Sequence, residues 1–338
     1  MYIRYSKTSL VYNHQYEVFN GQREVHQDQP QRLEKLLESL AQGGYDYGET
    51  ECVVPRHVLS VIHDNDYLTF LQCASEQVKS GDILFPSIFT HKKPESKNIL
   101  AQLGYYSNDM YTPLHHNSYN AALASASVAY DCAQLLLANQ SKFSYAVCRP
   151  SGHHAGKRTM SGYCFLNNAA VAAQTLVQSG KVAILDVDFH HGNGTQEIFY
   201  DRSDVLTVSI HADPQVKFPF YAGFAQESGV NKGEEFNLNI PLPLGTNNDQ
   251  YHIALQNALR NIKAFNPSYL VLSLGFDTHE ADPIGGFLLT TDYYTKMALT
   301  IKAMEYPIVV VQEGGYKVET LGSNILAFMD GFTHSSAV

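Results

Sequence analysis

Basic residues never cluster beyond a pair in this chain of 338 residues, and Asp and Glu (33) outnumber Lys and Arg (23), leaving a formal charge of −10. The lack of a basic run excludes a grip on nucleic-acid phosphates as the main activity. The acidic balance suits a cationic ligand instead. No apolar stretch approaches the length that spans a bilayer, so no membrane part is expected. The opening MYIRYSKTSLVY lacks the apolar core and small-residue cleavage site of a signal peptide. Cysteine is scarce: Cys52, Cys73, Cys132, Cys148 and Cys164 are odd in number and never form a C-x-x-C pair. That argues against a disulfide scaffold or a cysteine zinc site and fits reduced thiols in a cytoplasm. No Pro/Gly/Ser-rich linker divides the chain, so one domain over 1–338 is expected.

What is present is an alternation of apolar strands and helices. Strands are expected at Met1–Tyr5, Phe143–Cys148, from Val182, and at Val205–Ile210, Tyr269–Leu274 and Ile308–Gln312. Helices are expected after Pro30, over Asp66–Val78, Asn120–Ala138, Asn167–Ser179, near Gln196, and over Gln250–Phe265, Asp292–Met304 and Glu319–Met329. Val53–His63 carries alternating apolar residues. Strands apolar throughout, separated by helices, predict an α/β fold: a mostly parallel sheet with helices on both faces. The irregular segment from about residue 80 to 118, holding Pro86, Pro94 and Pro113, is long for a loop inside a domain. It covers a site, mediates association, or is a solvated excursion; composition leaves these open.

In such sheets the site lies beyond the strands' carboxyl ends, and four polar clusters fall there. They are RPSGHHAG, DVDFHHGNG, GFDTHEADP and EGGY. Asp186, Asp188 and His190 stand at alternate positions, which in a strand share one face. Asp188, His190 and Asp277 would give a divalent ion two oxygens and one nitrogen, leaving room for water, as at a catalytic zinc. The pair His153 and His154 suits a general base and a partner, with Asp186 and Asn193 as candidates to orient them. The phenol of Tyr316 could donate to a developing oxyanion. These are the parts of a metal-assisted amide hydrolysis.

RPSGHHAG, GYCFLNNAA, DVDFHHGNGTQ, SLGFDTHEADP and EGGY together resemble the zinc-dependent deacetylases of the arginase–deacetylase superfamily, especially bacterial acetylpolyamine amidohydrolases and class II histone deacetylases. Weaker likeness extends to HQDQPQRL and VIHDNDYL. The resemblance implies the arginase–deacetylase fold, zinc or ferrous iron on Asp188, His190 and Asp277, and removal of acetyl or small acyl groups from acetyl-lysine or acetylpolyamine. It implies His154 as general base oriented by Asn193, His153 as its electrostatic partner on Asp186, and Tyr316 polarising the scissile carbonyl. It further implies channel walls at Tyr163 and Phe218, a substrate-accepting carbonyl at Gly162, and a potassium ion on Asp186, Asp188, His190, Ser209 and Ile210. A homodimer formed through the 80–118 segment is implied as well. A manganese ureohydrolase and a non-catalytic binder of acetylated ligands are the alternatives.

The chain departs from the polyamine branch at the channel mouth. The branch's carboxylate positions fall on Leu100 and Tyr111, and the gatekeeping glutamate of polyamine-selective class II enzymes falls on Ile284. An ammonium there would need Tyr105, Tyr106 or Tyr111 as a cation–π partner, or a carboxylate from Glu95, Asp109 or Glu280.

Overall fold

The computed structural model describes residues 1–333, so residues 334–338 of the expected domain lie outside the described part. In chain order the strands are β1 (Tyr2–Tyr5), β2 (Tyr16–Phe19), β3 (Gln22–Val25), β4 (Gly48–Glu49), β5 (Ile83–Leu84) and β6 (Leu114–His115). They continue with β7 (Phe143–Ala146), β8 (Val182–Asp186), β9 (Val205–Ala212), β10 (Asn237–Leu242), β11 (Tyr269–Leu274) and β12 (Ile308–Gln312). The helices are α1 (Pro30–Gln42), α2 (Arg56–Ile62), α3 (Asn65–Gln77), α4 (Ile99–Leu103) and α5 (Ser118–Leu137). After these come α6 (Asn168–Leu176), α7 (Asn193–Phe199), α8 (Asn248–Phe265), α9 (Thr291–Lys302) and α10 (Val318–Thr333).

Eight strands form one sheet in the order β10-β9-β8-β11-β12-β7-β1-β4, parallel throughout. The central strands read as unbroken apolar runs because both faces are covered. Ile184, Val271, Val309 and Val311 turn toward a core that includes residues of α3, α5 and α6. Their neighbours Leu185, Leu270, Leu272 and Val310 turn the other way, toward a core with residues of α1, α8, α9 and α10. Chain direction is marked locally: Asn247 and Gln250 close a reciprocal capping box at the start of α8, and Asn266 ends it in the left-handed region.

The structure also settles what the sequence left open. Val53–His63 contains a helix, α2, whose buried Leu59 and Ile62 lie three apart; its apolar alternation does not make a strand. The segment 80–118 is no solvated excursion. It holds β5, α4 and β6, and buries Leu103, Tyr106, Thr112 and Leu114. The two edge strands of the sheet were not foreseen, the short β4 and β10, whose burial alternates at its start, nor was the hairpin β2–β3, closed by Asn20–Gly21 with both residues at positive φ.

Candidate active site

The four clusters meet above the carboxyl ends of β7, β8, β11 and β12, which are neighbours in the sheet. β8 ends at Asp186, so Asp188 and His190 do not share a strand face as their spacing predicts. Beyond the strand each carboxylate curls back instead. Asp186 Oδ1 accepts the Asp188 N–H at 3.0 Å, and Asp188 Oδ1 accepts the His190 N–H at 2.9 Å. The turn reaches the same end by local hydrogen bonds. Asp277, past β11, accepts from the Phe189 N–H at 3.0 Å and faces His190 Nδ1 at 3.0 Å. Gly314, past β12, donates its N–H to Asp188 Oδ2 at 2.8 Å; a Cβ at Gly314 would run into both aspartates.

Asp188, His190 and Asp277 are all buried, with ligand atoms within 4.8 Å of one another. Two anionic oxygens and an imidazole nitrogen fit a divalent cation of zinc type. Burial and the charge of Asp188 push the Asp277 carboxyl up to about 7. His190 is raised to about 9: burial opposes its charging, and the two aspartates outweigh burial. Negative charge concentrated in this way draws protons when no cation is present.

His153 and His154 lie in contact, their ring centroids 4.0 Å apart and their planes tilted by 43°, yet sit in opposite fields. Burial resists charging His153, but Asp186 and Asp188 overcome it and raise its pKa well above the usual imidazole value. Its Nδ1 lies 2.9 Å from Asp186 Oδ2. Burial, then the neighbouring His153 and His190, hold His154 well below that value. His154 Nδ1 lies 2.7 Å from Asn193 Oδ1, which leaves Nε2 as the nitrogen with a free lone pair. Glu313, of the EGGY cluster, was not singled out from the sequence. It accepts the N–H of Gly152 at 2.7 Å and of His153 at 3.2 Å, and so fixes the turn that carries both histidines.

A cavity of about 400 Å³ descends to this point, and its lining includes Tyr111, His154, Gly162, Tyr163, His190, Phe218, Ile284 and Tyr316. Phe218 packs edge-on against His154 with centroids 5.0 Å apart, and Tyr163 against Tyr316 at 5.6 Å. Gly162 and Tyr163 both have positive φ, and a Cβ on Gly162 would strike the His154 ring, so glycine is required there. Tyr316 is held from behind. Arg32 donates Nε to the Gly315 carbonyl at 2.5 Å and lies over the Tyr316 ring, 4.6 Å from its centroid. Asp28 in turn pairs with Arg32 and Arg149. The HQDQPQRL stretch therefore props the site from behind, and it reaches the cavity itself through Gln27, with His26 against the Tyr163 ring. Asp186 and Ser209 line a separate cavity of about 10 Å³, and Ile210 follows Ser209 within β9.

The mouth differs from expectation. Leu100 lies exposed on α4, and Leu100, Tyr105, Tyr106, Glu95 and Glu280 are not among the lining residues. Asp109 is buried under the wall, where it accepts from the Ser161 hydroxyl and the Gly162 N–H, each at 2.7 Å. The carboxylates that do line the cavity are Glu17 and Glu24, directly opposite one another across the β2–β3 hairpin. Glu17 accepts the Tyr163 hydroxyl at 3.1 Å, and burial pushes its carboxyl up to about 8. Neither lies in a recognisable motif. The one available signal was a pair of acids at facing positions of an Asn-Gly hairpin.

Residues 26–332 match the Histone deacetylase domain. The chain is 40% identical to the acetylpolyamine amidohydrolase of Mycoplana ramosa, over 98% of this chain and 99% of that one. It is 39% identical to acetylpolyamine amidohydrolase 1 of Pseudomonas aeruginosa, over 97% of each. The crystal structure of acetylpolyamine aminohydrolase from Burkholderia pseudomallei superposes with a TM-score of 0.94 at 35% identity, covering 98% of both chains. The chain belongs to the histone deacetylase domain family.

Proposed function

We propose that this protein is a metal-dependent deacetylase that removes acetyl, or a related small acyl group, from the primary amine of an acetylated polyamine. The carrying observation is the buried Asp188–His190–Asp277 triad at the floor of a narrow aromatic cavity, beside a histidine with a free Nε2. These three residues would hold the ion, most plainly zinc, with ferrous iron an acceptable substitute for the same donors. When bound, it supplies a Lewis acid that acidifies water and polarises a carbonyl.

The chain's own groups do the rest. His154 takes the proton of the attacking water at Nε2 and returns a proton to the departing amine. Asn193 keeps the His154 hydrogen on Nδ1 for this purpose. His153, charged beside Asp186, stabilises the negative charge that develops. The Tyr316 hydroxyl donates to the oxyanion as it forms, an interaction stronger in the transition state than in the bound substrate. The Gly162 carbonyl accepts the substrate's amide N–H, and Tyr163 and Phe218 sandwich the methylene chain. Ile284 narrows the rim. Asp186, Ser209 and Ile210 would hold a potassium ion largely by backbone oxygens, beneath the zinc ligands.

The Glu17–Glu24 pair favours a polyamine over a lysine side chain. Burial, with the facing Glu24 adding to it, keeps the Glu17 carboxyl protonated up to about pH 8 in the empty cavity, and a second ammonium group on the substrate would draw it into its charged form. Lys217 also lines the rim, but its amine points away, toward the Gly285 carbonyl at 3.2 Å. Exposed Ile88, Phe89 and Leu100 on the 80–118 segment support a homodimer through that face. The cysteines, none of them paired, are consistent with a cytoplasmic setting.

The test is hydrolysis of acetylputrescine and acetylspermidine beside an acetyl-lysine peptide, with zinc-loaded and metal-stripped protein. Turnover of the polyamines that depends on metal is expected. Glu24→Gln should raise KM for acetylspermidine and leave the peptide's unchanged. Turnover of the peptide alone would overturn the substrate assignment, and none of any would overturn the enzyme.

A further inference from the structure

Tyr316 follows two glycines, a stretch with no stiffness of its own, and Gly315 sits at positive φ. A phenol that must meet an oxyanion to within about 0.5 Å needs its backbone held from outside. Three ties do this at three successive residues. Gly314 donates its N–H to Asp188, and the Gly315 carbonyl accepts from Arg32. The Tyr316 N–H goes to Asp282 Oδ2 at 2.6 Å. The first two partners already belong to the site. The third comes from the loop that follows β11 and Asp277.

Asp282 Oδ2 also accepts the Lys317 N–H at 3.2 Å, while Oδ1 accepts the Ile284 N–H at 3.1 Å. One carboxylate thus serves three backbone donors. Burial raises its pKa, and the three donors favour the charged form against burial. Pro283 and Ile284 line the mouth of the substrate cavity, but Asp282 does not; its oxygens are turned to the backbone. The loop itself is pinned on two sides. A Cβ on Gly285 would overlap the Asp277 carbonyl, and the Gly285 carbonyl takes the Lys217 amine at 3.2 Å. Asp282 therefore joins the rim of the cavity to the backbone of the residue that acts at its floor.

We propose that Asp282 is a positioning residue for the deacetylation: by holding the Tyr316 N–H it sets the phenol at the oxyanion, and by holding Ile284 it links that phenol to the channel rim. The inference rests on the reading of Tyr316 as the oxyanion donor. Its two branches separate kinetically. The Tyr316 branch works through the hydroxyl and acts on kcat, because that contact strengthens only in the transition state. The Ile284 branch shapes the entrance and acts on KM. A substrate that displaces the rim would be felt at Tyr316 without touching it.

The experiment places Asp282→Ala in the parent enzyme and in Tyr316→Phe, with acetylspermidine as substrate. In the parent it should lower kcat about ten-fold and raise KM about three-fold with zinc content unchanged, as a small misplacement of a catalytic group would. In Tyr316→Phe it should alter kcat less than about two-fold, because the hydroxyl it places is already gone, while the KM rise persists. Equal kcat losses in both backgrounds, no kcat loss in the parent, or a KM rise that vanishes with the hydroxyl would overturn the proposal. Should the alanine variant fail to fold, Asp282→Asn takes its place. An amide has one acceptor oxygen for the two sides, so it must release Tyr316 or Ile284. A kcat loss that needs the Tyr316 hydroxyl, or a KM rise that does not, is then expected, and neither appearing would overturn the proposal. The Tyr316 ring signals in NMR of the zinc-loaded protein read the placement without turnover. They should shift or broaden on the substitution; unchanged signals would also sink the idea. A parent inactive on every acetylated amine, with those signals sensitive to Asp282, would instead fault the proposed function alone.

Discussion

His153 and His154 are chemically the same residue, adjacent in the chain and in ring contact, and the fold separates their proton affinities in opposite directions. Asp186 and Asp188 outweigh burial at His153, whereas burial and the neighbouring His153 and His190 keep His154 neutral; that difference sets their roles. His154→Ala should lower kcat by a factor on the order of 10²–10⁴ while the protein still binds one zinc, measured by turnover and metal content. Tyr316→Phe should lower kcat on the order of 10²–10³-fold with little change in KM, as expected for a donor to an oxyanion. Both histidines, both asparagine and aspartate partners, and all three presumed ligands were legible in the sequence, because each stands in a short cluster just after an apolar strand. Glu17 and Glu24 were not. Their roles come from where a hairpin arrives in space, and nothing in their immediate neighbours marks it.

Among elements, the segment 80–118 and the tight turn at Gly162–Tyr163 form one unit through Asp109. That carboxylate accepts from Ser161, Gly162, Tyr111 and Thr112, tying a segment once open to three readings to the channel wall. Asp109→Ala would leave buried N–H groups without a partner, at about 1–3 kcal/mol for each such group. A lowered Tm and a raised KM should appear together, by calorimetry and initial rates; a lower Tm alone would mean that the wall does not depend on this tie. The polarity of this segment hid its order from the sequence. Its few apolar residues are buried one at a time among other elements, which gives no periodicity to read. β10 escaped for a related reason: as an edge strand it needs apolar residues on only part of its length.

For the molecule as a whole, the parallel sheet was legible because runs such as VAIL, YLVLSL and IVVV can only be covered on both sides. The strand order was not, since it depends on which helix crosses which face. One consequence is electrostatic. The site gathers Asp186, Asp188, Asp277 and Glu313 in one buried place, so ion-free protein takes up protons there. Asp277 and Glu313 are each raised to about 7, Glu17 in the cavity wall to about 8, and His190 to about 9. Each pKa lies above its unfolded value, so the folded state binds more protons than the unfolded state, and stability falls as pH rises through the folded pKa. Metal-stripped protein should therefore lose the stability these groups contribute from about pH 4, where the unfolded carboxyls begin to ionise, up to about pH 9. Zinc-loaded protein should lose less, because the cation replaces the protons on Asp277 and His190 and stabilises the fold by mass action. Parallel Tm curves with and without metal would count against the triad as the binding site.

The sheet order also says something about the chain's birth. β12, the last strand in chain order among the described residues, lies between β11 and β7, in the middle of the sheet. Until it arrives, β4, β1 and β7 can pair only with one another, and β11, β8, β9 and β10 likewise. A growing chain therefore carries two half-sheets with apolar, unpaired edges facing a gap that β12 must fill. The strand that brings Tyr316 to the site is the same one that joins the halves. Folding and the completion of the active site are then a single late event in synthesis, and a chain truncated before Ile308 should be both inactive and prone to aggregate.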